Sequence, residues 1–574
     1  MDAHKALISD IFNYSTLIEI PFFQRAYVWK EDLWSRFLDD MVFLVESKKP
    51  HFFGSIILKE GRMPSQGDQF TKSWTIVDGQ QRLTTLILFM RALSLMKGQT
   101  AFFDGQFKLM GQSIALKHGR NDIDAFEKVV AITEPKCLDN PEPESNLINA
   151  YNYFIQNINP DQLDIITICT YAQFVKIELT ADEDEQQIFD TINSLGVSLT
   201  TSELLKNYFF SRETVSDYES KWADVFEKDD DSKQYWYTTI ETGRIKRAMI
   251  DIFFDSYFQI FIQNRAYSIT NEDKVMYDRA DKLAQSYQHF INNYCNGNKD
   301  VVLGQLKDYA KCFMNTFNVN QCNMSIPGSS GIERLNVIIF GLKTSTLIPY
   351  VLYVAKNVYD EEERNKIYGI LESYVMRRIV MHATTKNYNN IFTSLIYNQV
   401  LDSESLSTKL HTYNDSTTYI PSDDDLRNGF NTSKLVNLQS KGIIYLIESK
   451  IRPTSSSVAL LGFNSYSLEH LMPKKWRNNW EPCATEEEAR TRDSVLLTLG
   501  NLAIITQSLN ASIRDAEWLI KKKGKGNDKP GLEMCASGLV TLFDVLNKDV
   551  WDEIEIAKRA DWLCEQAVYI WNIQ

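Results

Sequence analysis

Toward its C-terminal end the chain carries two short apolar runs, separated by a long polar insert and followed by a helical pattern, and this order limits the segment to strand, insert, strand, helix. The first run closes on Ser467-Leu468-Glu469-His470-Leu471-Met472-Pro473, the second spans Thr498 to Thr506, and the helical pattern runs from Ser512 through Ile520. Successive side chains of a strand point to opposite faces, so Glu469 and His470 cannot share a face unless the chain bends. His470 is therefore expected at a strand end.

The polar residues of this unit form a usable set. Hydrolysing a phosphodiester with one divalent ion needs a base for water, hard oxygen ligands for the ion and a group that fixes the imidazole tautomer. His470 is the candidate base; Glu469 and the side-chain oxygen of Asn510 are the candidate ligands for Mg²⁺ or Mn²⁺; Asn501, on the second strand, is the candidate orienter of His470. This is the residue set of a one-metal ββα nuclease site. Of the seven histidines only His470 has such neighbours. The long step from His470 to Asn501 requires an inserted loop or helix containing Trp476, Trp480 and the acidic run Glu486 to Glu488.

A formal net charge of −14 argues against diffuse attraction to nucleic acid, which depends on phosphate neutralisation by Lys and Arg. It leaves room for a local basic groove. Lys474, Lys475 and Arg477 stand beside the proposed site, and five lysines fall between Lys521 and Lys529. Lys474, Lys475, Lys521 and Lys522 are candidate DNA or phosphate contacts, the alternative being a solvated charged face.

The front of the chain offers a second cluster. Ile20 to Trp29 gathers Gln24, Arg25 and several aromatic rings, chemistry that suits phosphate and base recognition or simple packing. A helix is expected over Glu31 to Glu46, then strands at His51 to Leu58 and Trp74 to Val77. The second strand ends in Asp78-Gly79-Gln80-Gln81-Arg82-Leu83-Thr84-Thr85, and Leu83, Leu86, Ile87, Met90 and Leu93 mark the helix beyond. Free backbone N–H groups at a helix start, a permissive glycine and an arginine make a phosphate seat. Gln24, Arg25, Asp78, Gly79, Gln80, Gln81, Arg82 and Thr84 are the candidate nucleotide-binding residues. Asp-Gly is also a common turn signal, so a purely structural turn is the alternative. A Walker A sequence is absent, so a P-loop ATPase is not supported.

Between these clusters the chain reads as scaffold. Residues 97 to 170 read as a helical insertion, broken at Pro135 to Pro143 and without chemistry of its own. A strand follows at Phe174 to Leu179, then a helix carrying Ile188, Phe189, Ile192 and Leu195 that stops at Gly196, then a capping box at Thr200-x-x-Glu203. From Tyr208 to Thr418 the pattern is helical throughout; Arg377-Arg378 could touch a phosphate backbone or form surface salt bridges. A boundary is expected near Asp415 to Asp425, with helices over Asp423 to Ile451.

With 574 residues the chain is long enough for about three or four domain-sized units. Eight cysteines without a CxxC pair indicate neither a zinc ribbon nor a disulfide framework. Met1 to Ser15 lacks the apolar core of a signal peptide, and the run Leu335 to Ala355 is broken by Lys343 and Pro349. A soluble, cytoplasmic protein without a membrane span is expected.

Glu469-His470-x-x-Pro473, Gly500-Asn501-Leu502, Leu509-Asn510, Trp518 and the lysines from Lys521 resemble the HNH-type nuclease domain of the GmrSD-like, modification-dependent (type IV) restriction enzymes. Asp78 to Arg82 with Gln24-Arg25, and Ile188 to Gly196 with Leu199-Thr200 and Leu204 to Asn207, resemble the nucleotide-binding N-terminal domain of the same family. That domain is similar to the ParB/sulfiredoxin-like fold. Glu372 to Arg378, Thr384-Thr385 and Tyr388 to Phe392 resemble the family's helical part.

The resemblance implies a predominantly helical α+β chain: a ParB/sulfiredoxin-like sensor over 1–210, a helical domain over 211–420 and a ββα-metal (HNH) nuclease domain over 421–574. It implies a DNA endonuclease, nicking or cutting both strands, in antiphage defence. The expected partners are phage or modified DNA, an NTP (GTP or ATP) that gates cleavage, and optionally a second copy in a homodimer. Asn193 and Lys206 are phosphate or DNA contacts by resemblance, with a helix cap and a surface lysine as the alternatives. The rival reading is a nonenzymatic DNA-binding or adaptor protein with a degenerate nuclease fold.

Overall fold

The computed structural model describes residues 2–65, 68, 70–110, 112–140, 142, 144–180, 200–210, 214–242, 245–326, 328, 331–453, 459–525 and 529–573. It divides into two compact units, Met1–Trp222 and Ala223–Gln574.

The first unit is built on a mixed sheet of six strands. In chain order these are β1 (Asp2–Leu7), β2 (Thr16–Glu19), β3 (His51–Glu60), β4 (Lys72–Asp78), β5 (Leu116–Lys117) and β6 (Ala172–Leu179). Their spatial order is β1-β6-β3-β4-β2-β5. β1 runs antiparallel to β6 and β4 antiparallel to β3, whereas β3/β6, β4/β2 and β2/β5 are parallel.

Both edge strands go beyond the sequence reading. β1 is exposed at most positions, so it lacks an apolar face to announce it. β5 is two residues long, too short for any periodicity, yet it brings the segment expected to be a helical insertion into the sheet.

Helix α1 (Glu31–Ser47) presents the stripe Trp34, Phe37, Leu38, Met41 and Leu44 to the core, and Glu31 and Asp32 favour its positive N-terminal end. Helix α2 (Gln80–Met96) is buried almost all round from Leu83 to Leu95, and the unit's apolar core gathers about it. Thr200 and Glu203 form the expected capping box at the start of Thr201–Phe209. The helix proposed around Ile188 to Gly196, with Asn193, lies outside the described residues.

The second unit is mainly helical, but an antiparallel pair, Thr239–Thr242 with Ile245–Ala248, interrupts the stretch expected to be helical throughout. The first of these four-residue strands is rich in Thr and Ile, which favour extended structure over so short a run. At the centre, Arg334 donates to both carboxylate oxygens of Glu372, at 2.8 and 2.6 Å, and the Trp571 indole donates to the same carboxylate at 3.0 Å.

Arg377 and Arg378 are buried, not surface residues. Arg377 donates to Trp571 O and Pro421 O and pairs with Asp423; Arg378 donates to Tyr419 O, Thr384 O and Thr417 O. A phosphate role for this pair is thereby corrected: both guanidinium groups are buried and hold the 415–425 segment, Arg377 also bonding Trp571 O and Arg378 also bonding Thr384 O. That stretch, where a boundary was expected, lies inside the second unit.

Helices α3 (Asp423–Thr432) and α4 (Asn437–Ile451) follow as anticipated. All eight cysteines are free thiols. No described helix is long and apolar enough to cross a membrane.

Candidate active site

Strand β7 (Tyr466–His470) pairs antiparallel with β8 (Leu502–Thr506), His470 lying opposite Leu502. His470 is the last residue of its strand. β8 begins later than the run read from sequence, because Leu499–Asn501 is a 3₁₀ turn; Asn501 therefore precedes the strand instead of standing on it.

The Asn501 side chain is fully buried, and its bonds do not reach the imidazole. Its Oδ1 accepts from the Met472 N–H at 2.8 Å and from the Trp551 indole at 3.1 Å; its Nδ2 donates to Met472 O at 2.8 Å and Leu496 O at 3.0 Å. The expected role of orienting the His470 ring is corrected to one of holding the backbone that leaves His470. Leu471 N–H adds a bond to Asn501 O at 2.9 Å.

The turn is clamped from behind by the final helix, α7 (Glu553–Ile570). Arg559 donates to Gly500 O and Leu502 O, both at 2.7 Å. A Cβ on Gly500 would lie 2.1 Å from Ile556 O, so only glycine admits the helix this close.

The helix after β8 begins earlier than expected and is broken. α5 (Gln507–Ile513) ends at Arg514, whose φ of 39° turns the chain out of helical geometry, and α6 (Trp518–Lys523) follows. Asn510 thus sits within α5. Its Nδ2 donates to Ser467 Oγ at 3.1 Å and Leu468 O at 3.0 Å. Ser467 and Glu469 share one face of β7, which puts Asn510 and Glu469 on the same side.

Glu469 is buried, and its Oε1 accepts from the Lys521 ammonium, which also donates to His470 O at 2.7 Å. Burial pushes the carboxyl up and the ammonium down, and each is drawn back by its partner. Burial, with the nearby charges of Lys474 and Lys521, pushes the half-buried His470 down to about 4. The imidazole is therefore neutral near pH 7, the form a base requires.

No group of three or more His, Cys, Asp or Glu side chains able to hold a metal is found among the described residues. Mg²⁺ keeps several waters and takes one or two carboxylates. Here the one carboxylate, Glu469, is paired with Lys521, and the Asn510 amide spends its N–H groups on β7.

Lys474 and Lys475 are exposed in the turn after β7. Lys521 and Lys522 are not part of an exposed basic face: Lys521 is on Glu469, and Lys522 donates to Lys548 O at 3.0 Å and lies 3.6 Å from Glu533. An outward phosphate contact is corrected for both, since α6 turns them into the fold.

In the first unit, Gly79 caps α2 with φ 98°, and its missing Cβ lets the turn sit on Ile56. Arg82 lies across β3 where Gly54 has no side chain, donating to Ser55 O at 2.9 Å, with Asp78 3.4 Å away. Gln24 donates to Ile76 O at 2.8 Å. Gln80 donates to Arg25 O at 3.1 Å, while Gln81 accepts from Val28 N–H at 2.9 Å and donates to Ala26 O at 3.2 Å. The glutamines therefore clasp the Arg25–Val28 backbone to the helix start.

Thr84 is buried, with its hydroxyl 3.1 Å from His118 Nε2, so it does not face a ligand. Arg25 lies 4.0 Å from Glu203, and Lys206 is buried, which removes it from the surface where a DNA contact was expected.

Sequence reasoning missed His118 and Asp122, which come from the supposedly inert insertion. Burial pushes His118 down to about 3 and Asp122 up to about 6, and Asp122 accepts from Tyr27 N–H at 2.7 Å. Their only signal was polarity in a segment with no motif.

An imidazole, a carboxylate and an amide thus lie on one strand pair and the helix that follows it. Residues 8–210 match the family model for the GmrSD restriction endonuclease, N-terminal domain, and residues 420–566 match that for the GmrSD restriction endonucleases, C-terminal domain. The chain belongs to the GmrSD restriction endonuclease family, which gives it a restriction nuclease role with DNA as partner. No curated protein matches it.

Proposed function

We propose that the chain is an NTP-regulated, Mg²⁺- or Mn²⁺-dependent DNA endonuclease of antiphage defence, acting in the cytoplasm on modified or foreign DNA. Its C-terminal site is read as HNH-type and its N-terminal unit as ParB/sulfiredoxin-like. The observation that carries the reading is His470 at the end of β7 beside buried Glu469, its following backbone held at Met472 by two of the four side-chain bonds of Asn501.

In this reading His470 takes the proton from the attacking water, and Asn501 is a positioning residue. Glu469 and Asn510 would hold the ion, which when bound supplies positive charge at the scissile phosphate. Exposed Lys474 and Lys475 meet the DNA backbone. The nucleotide phosphates sit at the N-terminal end of α2, where first-turn N–H groups and Arg82 face an anion.

The test is cleavage of unmodified, glucosylated hydroxymethylcytosine and phosphorothioate DNA, each with and without GTP or ATP. Cutting by wild type that is lost in His470→Ala supports the proposal. DNA left equally intact by both across all substrates refutes it and favours the adaptor.

A further inference from the structure

We propose that the cavity between α7 and the segment Val540 to Trp551 is a regulatory site for an uncharged aromatic molecule of one or two rings, whose binding stiffens the turn behind His470. Only its bearing on cleavage rests on the reading of His470 as the base.

The cavity has a volume of about 250 Å³. An apolar cavity of roughly 150 Å³ takes a single benzene ring, so this one has room for two fused rings. Among the described residues its apolar wall is Val540, Phe543, Val545, Trp551 and Trp562. Val545 and Trp551 are buried and form the inner end, whereas Phe543 is 49% exposed and leaves a way in from solvent. Two indoles and a phenyl ring offer faces and edges to a flat ligand.

The charged part of the lining selects a neutral one. Lys548 and Lys558 both pair with Glu555, at 2.9 and 2.7 Å. Arg559 spends its guanidinium on Gly500 O, Leu502 O and Thr541 O. Asp544, exposed at the edge, repels an anion. An ion entering here would have to break one of these pairs at a partly desolvated site.

Two of the lining residues are also the clamp on the turn at 499–502. Trp551 donates its indole N–H to Asn501 Oδ1 at 3.1 Å, and Arg559 donates to Gly500 O and Leu502 O, both at 2.7 Å. Arg559 belongs to the face of α7 that also brings Glu555, Lys558 and Trp562 to the cavity, so it cannot release the turn without reshaping the wall. A ligand that fits the closed wall therefore favours the clamped turn. Opening becomes rarer by a factor of one plus the ratio of ligand concentration to Kd.

The test is binding of 5-fluoroindole to the full chain by ¹⁹F NMR, with amide hydrogen exchange read on the same samples. Support is one saturable site that protects peptides over 540–551 and 555–562, binds about fivefold or more weakly in Phe543→Ala and Trp562→Ala, and slows exchange over Leu471 to Trp476 about tenfold at about ten times Kd. No saturable binding up to about 5 mM, protection elsewhere, or affinity unchanged in both folded variants overturns the site. Binding in the cavity that leaves exchange over Leu471 to Trp476 unchanged overturns the regulatory role. If neither variant folds, the peptides protected in wild type decide the location. Slowed exchange in a chain that leaves every DNA substrate intact still supports the site and refutes only the reading of His470.

Discussion

Replacing Asn501 by Ala removes four hydrogen bonds at 2.8 to 3.1 Å and leaves the Met472 N–H, Met472 O, Leu496 O and the Trp551 indole N–H without their partner. A buried polar group stripped of its partner costs roughly 1–3 kcal/mol. Water entering the vacated space relieves part of this, so a local loss of about 3–6 kcal/mol is expected, a large share of the ~5–15 kcal/mol that holds a domain folded.

Because the chain has two compact units, a single unfolding free energy is poorly defined, and local amide hydrogen exchange is the better assay. Peptides over Leu471 to Trp476 should exchange about a hundredfold faster or more, at ~1.4 kcal/mol per factor of ten, while peptides of the first unit are unchanged. Exchange there within tenfold of wild type, accompanied by a large loss of cleavage, would refute this account. Asn501 would then act on the ring itself and not on the turn.

Gly500→Ala should destabilise the same turn by more than about 2 kcal/mol, because the added Cβ meets the backbone carbonyl of Ile556; a thermal melt within error of wild type would contradict it. Since His470 titrates near 4 when folded, against the ordinary value near ~6.5, cleavage should be flat from about pH 6 to 8 and fail only toward acid. The same depressed value means that the unfolded state binds the proton first, so this stability contribution is complete above ~6.5 and lost as pH falls toward 4; an inverted slope in pH-dependent melts, relative to His470→Ala, would exclude it. Arg82→Ala should weaken nucleotide binding about tenfold or more by calorimetry, and unchanged binding would make the Asp78–Arg82 turn purely structural. Lys206→Ala should lower the melting temperature of the first unit and leave the salt dependence of DNA binding alone, because the residue is buried.

Local periodicity carried much of the architecture. Helix Glu31–Ser47, the strand, glycine turn and helix around Gly79, the capping box at Thr200 and the strand end at His470 each depend on a few adjacent residues, and each is legible in them. What escaped depends on partners distant in sequence. β1 and β5 are strands only because β6 and β2 lie beside them. Asn501 announces an amide but not the loop it ties, and a run of lysines at 521 to 523 reads as surface until the fold turns two of them inward. The break at Arg514 was hidden because neither Gly nor Pro stands between Asn510 and Trp518 to announce it.

The clasp that Gln80 and Gln81 make on the Arg25–Val28 backbone is built from amides alone. It carries no net charge and no proton to lose, so neither acid nor added salt loosens it. The head of α2 and the arginine-bearing loop are thereby joined by a linkage indifferent to pH and ionic strength, whatever happens to the charged groups on either side.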